Sequence, residues 1–157
     1  MPKPPPTSGV TTRMRFSGMW KTCSASRLRT KCEPWVELQA LDSSRNVLAR
    51  YGGPDSTGLI PPDAARLGMD IAQADGTVLY RHELTSATRI PFARVVPAQG
   101  SVVVEIPLPT QLPGAFVEID AVLYYRNVRT QYYRAASGDT MGHAPDVEVA
   151  RTILYGL

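Results

Sequence analysis

From Trp35 onward, hydrophobic and polar residues alternate along the chain. Val36, Leu38 and Ala40 fall on one side of an extended segment, with Glu37 and Gln39 on the other. This is the period-2 signature of a strand with two unlike faces. Asp42 to Asn46 is a polar turn cluster, and Val47 to Tyr51 reads as the return strand of a hairpin. A Gly/Pro/Asp-rich loop follows from Gly52 to Asp63. Leu67, Met69 and Ile71 then alternate with Gly68, Asp70 and Ala72. Asp75-Gly76 predicts a tight turn because both residues tolerate positive φ, and Val78 to Tyr80 is the expected return. Ala64 and Ala65, after Pro61-Pro62-Asp63, would also suit a short helical turn, but the Asp-Gly signal favours β.

Pro97 to Gly100 predicts another turn, followed by a strand through Val102, Val104 and Ile106. Pro107 and Pro109 end it, since proline cannot donate to a ladder. After a turn at Leu112-Pro113-Gly114 comes the longest strand signal. Val117, Ile119, Ala121, Leu123 and Tyr125 share one face, and Phe116, Glu118, Asp120, Val122 and Tyr124 the other. Tyr132-Tyr133 is expected to continue the pairing after a break at Arg126-Asn127. Val147, Val149 and Ile153, alternating with Glu148, Ala150 and Thr152, form a closing strand.

Roughly seven or eight short strands punctuated by turns, with no amphipathic helix longer than two turns, predict an all-β fold. The expected architecture is a two-sheet antiparallel sandwich of the immunoglobulin or fibronectin type III kind over residues 34–157. Periodicity leaves a closed barrel open as the alternative.

Composition adds an asymmetry. The 157-residue chain carries a net charge of +3, which would suggest a nucleic-acid partner if the charge were evenly spread. Lys3, Arg13, Arg15, Lys21, Arg27, Arg29 and Lys31 all precede the first acidic residue, Glu33, and the remainder has ten basic and fourteen acidic side chains. The body is therefore mildly acidic and would be repelled by a phosphate backbone, so no specific nucleic-acid binding is expected. The segment 1–33, with its Lys-Pro-Pro-Pro run, is expected to be a basic, poorly ordered lead-in. Cys23 and Cys32 lie in it at a spacing that matches no redox or zinc motif, and two inert thiols or one disulfide both fit. No apolar run is long enough to span a membrane, and no apolar signal-peptide core is visible.

Catalytic signatures are sparse. No nucleophile elbow, phosphate loop or dinucleotide glycine fingerprint occurs. His82, in Arg81-His82-Glu83, lacks a base–orienter–nucleophile set. His82 and His143 with the two cysteines match no structural zinc spacing. Glu118 and Asp120 sit two apart on one strand face, the arrangement a glycosidase carboxylate pair would use, but alternation alone makes that face the solvated side of the strand. No enzymatic activity and no metal site are expected. Tyr124-Tyr125-Arg126 and Tyr132-Tyr133-Arg134 offer large contact area with polar tips, and these six residues are the candidates for a protein interface. Exposed Tyr and Trp would equally serve an independent carbohydrate-binding sandwich. Met141 and His143, in the loop Ser137 to Pro145, are both residue types that ligate haem iron.

In their order along the chain, several stretches carry a resemblance. They are Trp35-Val36-Glu37-Leu38, Pro62 to Leu67, Asp75 to Glu83, Val96 to Ser101, Ala121 to Arg126 with Tyr132, and Pro145 to Ala150. Together they resemble the haem-free C-terminal region of bacterial multihaem c-type cytochromes. The resemblance covers roughly four-fifths of the chain, and its weight lies in the order of the motifs. It implies a β-rich structural or docking module in the periplasm, with a multihaem cytochrome as protein partner and Met141 and His143 as a loop that could contact the partner's haem. The chain has no CxxCH, so no covalently bound haem is expected, and it departs from the family pattern over residues 1–33. A detached or fragmentary form of the family's C-terminal module is the expectation that follows.

Overall fold

The computed structural model describes residues 11–17, 32–62, 64–79, 84–95, 101–107, 112–114 and 116–156. In chain order its strands are β1 (Thr11–Ser17), β2 (Glu33–Leu41), β3 (Val47–Tyr51), β4 (Ala65–Arg66), β5 (Gly68–Ala72), β6 (Arg89–Arg94), β7 (Ser101–Pro107), β8 (Glu118–Arg126) and β9 (Val147–Gly156). One helix, α1 (Thr130–Ser137), separates β8 from β9, and a single 3-10 turn covers Leu84–Ser86.

The principal sheet has five strands in the order β3–β2–β8–β9, with β4 pairing the part of β2 that β3 leaves free. β1 pairs with β7 and β5 with β6, and every pairing is antiparallel. The described strands end on open edges, so the principal sheet does not close into a barrel. The fold is all-β and sandwich-like.

The alternation read from the sequence places the core. Val36 and Leu38 of β2 and Ala121 and Leu123 of β8 meet Val104 and Ile106 of β7, together with Ala65 and Leu67. Burying such side chains contributes roughly 1.5–3 kcal/mol each, and this layer holds the principal sheet against β7.

Four elements differ from expectation. Thr11–Ser17 forms β1 within the segment read as an aperiodic lead-in; its Thr-Thr-Arg-Met-Arg-Phe-Ser sequence does alternate, over too short a run to stand out beside the basic residues around it. Residues 1–10 and 18–31 lie outside the described residues. The Asp75-Gly76 turn forms, with Gly76 at φ 93°, the Gln73 N–H donating to the Thr77 carbonyl and the Gly76 N–H to the Gln73 carbonyl. Its return is only a bridge from Ala72 to Val78, and β5 pairs instead with β6, which the sequence pattern did not mark. Tyr80 and the turn at residues 97–100 lie outside the described residues. Finally, Tyr132-Tyr133 belongs to α1 rather than to a strand. A helix closes its hydrogen bonds locally, and Gly138 terminates this one at φ 76°, donating its N–H to the Arg134 carbonyl at 3.0 Å. Among the described residues no helix is long and apolar enough to cross a membrane.

Candidate functional site

The face of β2 and β8 opposite the core carries the polar residues. The register sets Trp35 opposite Tyr124, Glu37 opposite Val122, Gln39 opposite Asp120 and Leu41 opposite Glu118. Alternation alone makes this a solvated face, and the fold overturns that expectation: Glu37, Gln39 and Asp120 are all buried. The reason is a cover of arginines reaching in from the turns and edges. Arg50 of β3 donates to Glu37 Oε1 at 2.7 Å. Arg151 of β9 donates to Asp120 Oδ2 at 2.8 Å and to Gln39 Oε1 at 3.1 Å, while its other nitrogens hold Glu148. Arg45, in the β2–β3 turn, lies 3.2 Å from Asp120 Oδ2 and 3.0 Å from Glu118 Oε1. Hydrogen bonds to Glu148 and Asp120 raise the Arg151 pKa above its already high ordinary value, so its charge is fixed. The two carboxylates singled out as a glycosidase-like pair are thus engaged by guanidinium groups.

Toward the Trp35 end this face opens into a cleft of about 470 Å³, lined by Trp35, Glu37, Arg50, Gly53, Tyr124 and Asp146 among others. Its wall is shaped by two glycines at the exit of β3. Gly52 holds φ 78°, a conformation that disfavours any side chain, and a Cβ on Gly53 would collide with the Glu37 carboxylate. Glu37 is further held by Gln39 Nε2 at 2.8 Å, and the same amide nitrogen donates to the Tyr124 hydroxyl at 3.0 Å. The Trp35 ring stacks on Tyr124 and lies under the Arg126 guanidinium, 4.9 Å from its carbon. Its indole N–H is buried without a hydrogen-bond partner.

Behind the cleft, Arg126 is fully buried and joins four segments. Its Nε donates to Asp146 at 2.5 Å, and Nη1 donates to the Gly58 carbonyl and to the Thr130 hydroxyl, each at 2.6 Å. Glu33 Oε2 lies 3.4 Å from the same nitrogen and accepts from the Thr130 hydroxyl at 3.1 Å. A second buried cluster fixes the start of α1. Asp70 accepts from Arg66 at 3.2 and 2.6 Å and from Arg129 at 2.6 Å, and Arg129 also donates to the Met69 carbonyl. Burial pushes the Asp70 carboxyl up, but the hydrogen bonds and charges of both arginines outweigh it and hold it below the ordinary range.

The six interface candidates do not form one surface. Tyr124 lines the cleft, whereas Tyr125 points to the other side of β8 and donates its hydroxyl to Cys32 Sγ at 3.5 Å. Arg126 is buried and serves the network just described, so it presents no surface of its own. Tyr132 and Tyr133 are half-buried on α1. Arg134 binds the carbonyls of Gly142 and Thr57, tying the loop after α1 to the loop after β3. In that loop Met141 is 64% exposed, and His143 is partly exposed with Nδ1 2.9 Å from its neighbour's carbonyl and 3.8 Å from Asp146. His82 and Cys23 lie outside the described residues. Among the described residues no group of three His, Cys, Asp or Glu is placed to hold a metal ion.

Sequence reasoning missed Trp35, Glu37, Arg50 and Gly53 as members of a common site, and Arg129 and Asp70 as a buried pair. The available signal was Gly52-Gly53-Pro54 directly after a strand ending in Arg50-Tyr51, which marks a close backbone approach as well as a turn.

No protein-family model matches the chain, and no curated protein matches it. Among solved structures, the fold is similar to the crystal structure of a penta-heme cytochrome c552 from Thermochromatium tepidum. The TM-score is 0.56 at 15% sequence identity, and the match covers 80% of this chain but 31% of that one. The chain thus spans less than a third of that cytochrome's length, and what the two are seen to share is the fold.

Proposed function

We propose that this chain is a non-catalytic structural and protein-interaction module associated with a multihaem c-type cytochrome electron-transfer system, acting in the periplasm. The observation that carries this reading is the similarity of four-fifths of the chain to part of a penta-heme cytochrome. The order of turns and tyrosines noted in the sequence supports it independently. In this reading the chain binds no haem covalently, for want of a CxxCH, and meets its partner through exposed features. The loop bearing Met141 and His143, which Arg134 anchors beside α1, is the candidate contact with the partner's haem edge. Encounters between redox proteins are small and transient, so a limited exposed loop beside half-buried Tyr132 and Tyr133 is a sufficient surface.

The test is calorimetric titration of purified penta-heme cytochrome c552 and of a monohaem cytochrome c control with the folded chain, repeated with Met141→Ala. Saturable, salt-sensitive binding to the multihaem protein, weakened by the substitution, is expected. The reading is overturned if the multihaem protein gives no heat and no shift in its haem potentials, or if both cytochromes bind alike.

A further inference from the structure

The cleft over Trp35 and Tyr124 is distinct from the loop assigned to docking, and we infer that it is a binding site for a small neutral sugar, a mono- or disaccharide. Its volume, about 470 Å³, lies within the roughly 300–1,000 Å³ of small-molecule pockets. The class of ligand follows from the charges and polar atoms in its wall. Glu37 is compensated by Arg50 at 2.7 Å, and Asp146 shares Arg126, 2.5 Å away, with Glu33 at 3.4 Å, so each carboxylate in the wall already has a guanidinium partner. An anionic ligand would meet the two carboxylates, and a cationic one would compete with Arg50 and Arg126 already in place. A neutral ligand avoids both costs.

The same wall interleaves donors and acceptors. The Trp35 ring lines the cleft, and its indole N–H lies buried beneath the surface without a partner. The Arg50 side chain stays 55% exposed while it holds Glu37, so it remains accessible to a ligand. The Asp146 carboxylate, 35% exposed, supplies an acceptor. A sugar hydroxyl both donates and accepts, and the C–H face of a sugar ring packs on an aromatic such as half-buried Tyr124. Gly52 and Gly53 keep the wall free of side chains where the backbone passes over Glu37.

The site is tested by saturation-transfer NMR and calorimetry on the full chain with a panel of neutral disaccharides (cellobiose, maltose, lactose and chitobiose). Spermidine and citrate serve as cationic and anionic controls. Saturable binding of at least one sugar and neither control is expected, with affinity reduced tenfold or more in Arg50→Ala and in Gly53→Val. Arg50→Ala leaves the buried Glu37 without its cation, so Arg50→Lys is measured beside it. The lysine keeps the charge but not the guanidinium fork, and is expected to fold by circular dichroism and to bind sugar several-fold more weakly, which keeps the test decisive if Arg50→Ala or Gly53→Val does not fold. Absence of transfer to every sugar, binding of a control instead, or sugar binding unchanged in a folded Arg50 variant overturns the inference. Cytochrome binding is read in a separate titration with the cleft variants, so failure of either proposal is distinguishable from failure of the other.

Discussion

Trp35 and Tyr124 face each other across β2 and β8 and stack, with ring centroids 5.5 Å apart and planes 19° from parallel. Each strand contributes one ring to the polar face, and the Arg126 guanidinium lies over the Trp35 ring. Cross-strand aromatic pairs stabilise sheets beyond simple burial. Trp35 also touches the cluster of Ile60 and Ala64, so the stack holds the loop after β3 against the sheet.

Trp35→Ala is expected to cost about 3–5 kcal/mol, as for other buried aromatic truncations. A double-mutant cycle with Tyr124→Ala should yield a coupling of about 0.5–1.5 kcal/mol. Urea denaturation of the four proteins measures both. A coupling indistinguishable from zero would mean that the rings merely fill space.

Arg126 sits at 0% exposure with Asp146, Glu33, Thr130 and Gly58 around it. Arg126→Met should destabilise by about 3–5 kcal/mol, because Glu33 and Asp146 lose their cation while Glu33 stays buried. Arg126→Lys should rescue little, since an ammonium cannot reproduce the fork that meets four partners. Amide hydrogen exchange should show faster opening of residues 57–60 and 130–134 in both variants, and unchanged protection there would contradict the role assigned to Arg126.

Asp70 makes stability depend on pH on the acid side. Its carboxyl lies below the ordinary value of 3.8 in the fold. A group depressed in this way stabilises fully above its unfolded value, and the contribution is lost as pH falls through the native value. The native chain should therefore lose stability below about pH 4, where part of the slope comes from Asp70. Asp70→Asn should be less stable at pH 7 and show a shallower slope between about pH 4 and pH 2. Denaturant midpoints across that range decide it, and parallel slopes for the two proteins would refute the assignment.

Gly138 ends α1 in the left-handed region with φ 76° and open space around its α-carbon. Gly138→Ala should cost about 1 kcal/mol through backbone strain alone, without a steric clash. Thermal unfolding measures this; an unchanged midpoint would mean that the end of the helix shifts to accommodate the side chain.

The strand faces were legible in the sequence. Val36, Leu38, Ala121 and Leu123 occupy the core face, and Glu37, Gln39, Glu118 and Asp120 the other, as alternation requires. The turns at Asp42 to Asn46, Asp75-Gly76 and Pro113-Gly114 were legible for the same local reason, since φ preferences act within a few residues. The helix was not: eight residues containing adjacent tyrosines satisfy a strand pattern as readily as a helical one.

What the sequence by itself determined is therefore the all-β character, the two faces of each central strand and most of the turns. Only the tertiary structure decided that both faces are covered. Backbone geometry fixes where a side chain points, but burial depends on what arrives from elsewhere in the chain. Arg151 reaches Asp120 from 31 positions away and Gln39 from 112, and Arg126 meets Glu33 across 93. No local pattern encodes such meetings. They turned an expected solvated face into a buried charge network with a cleft at its end.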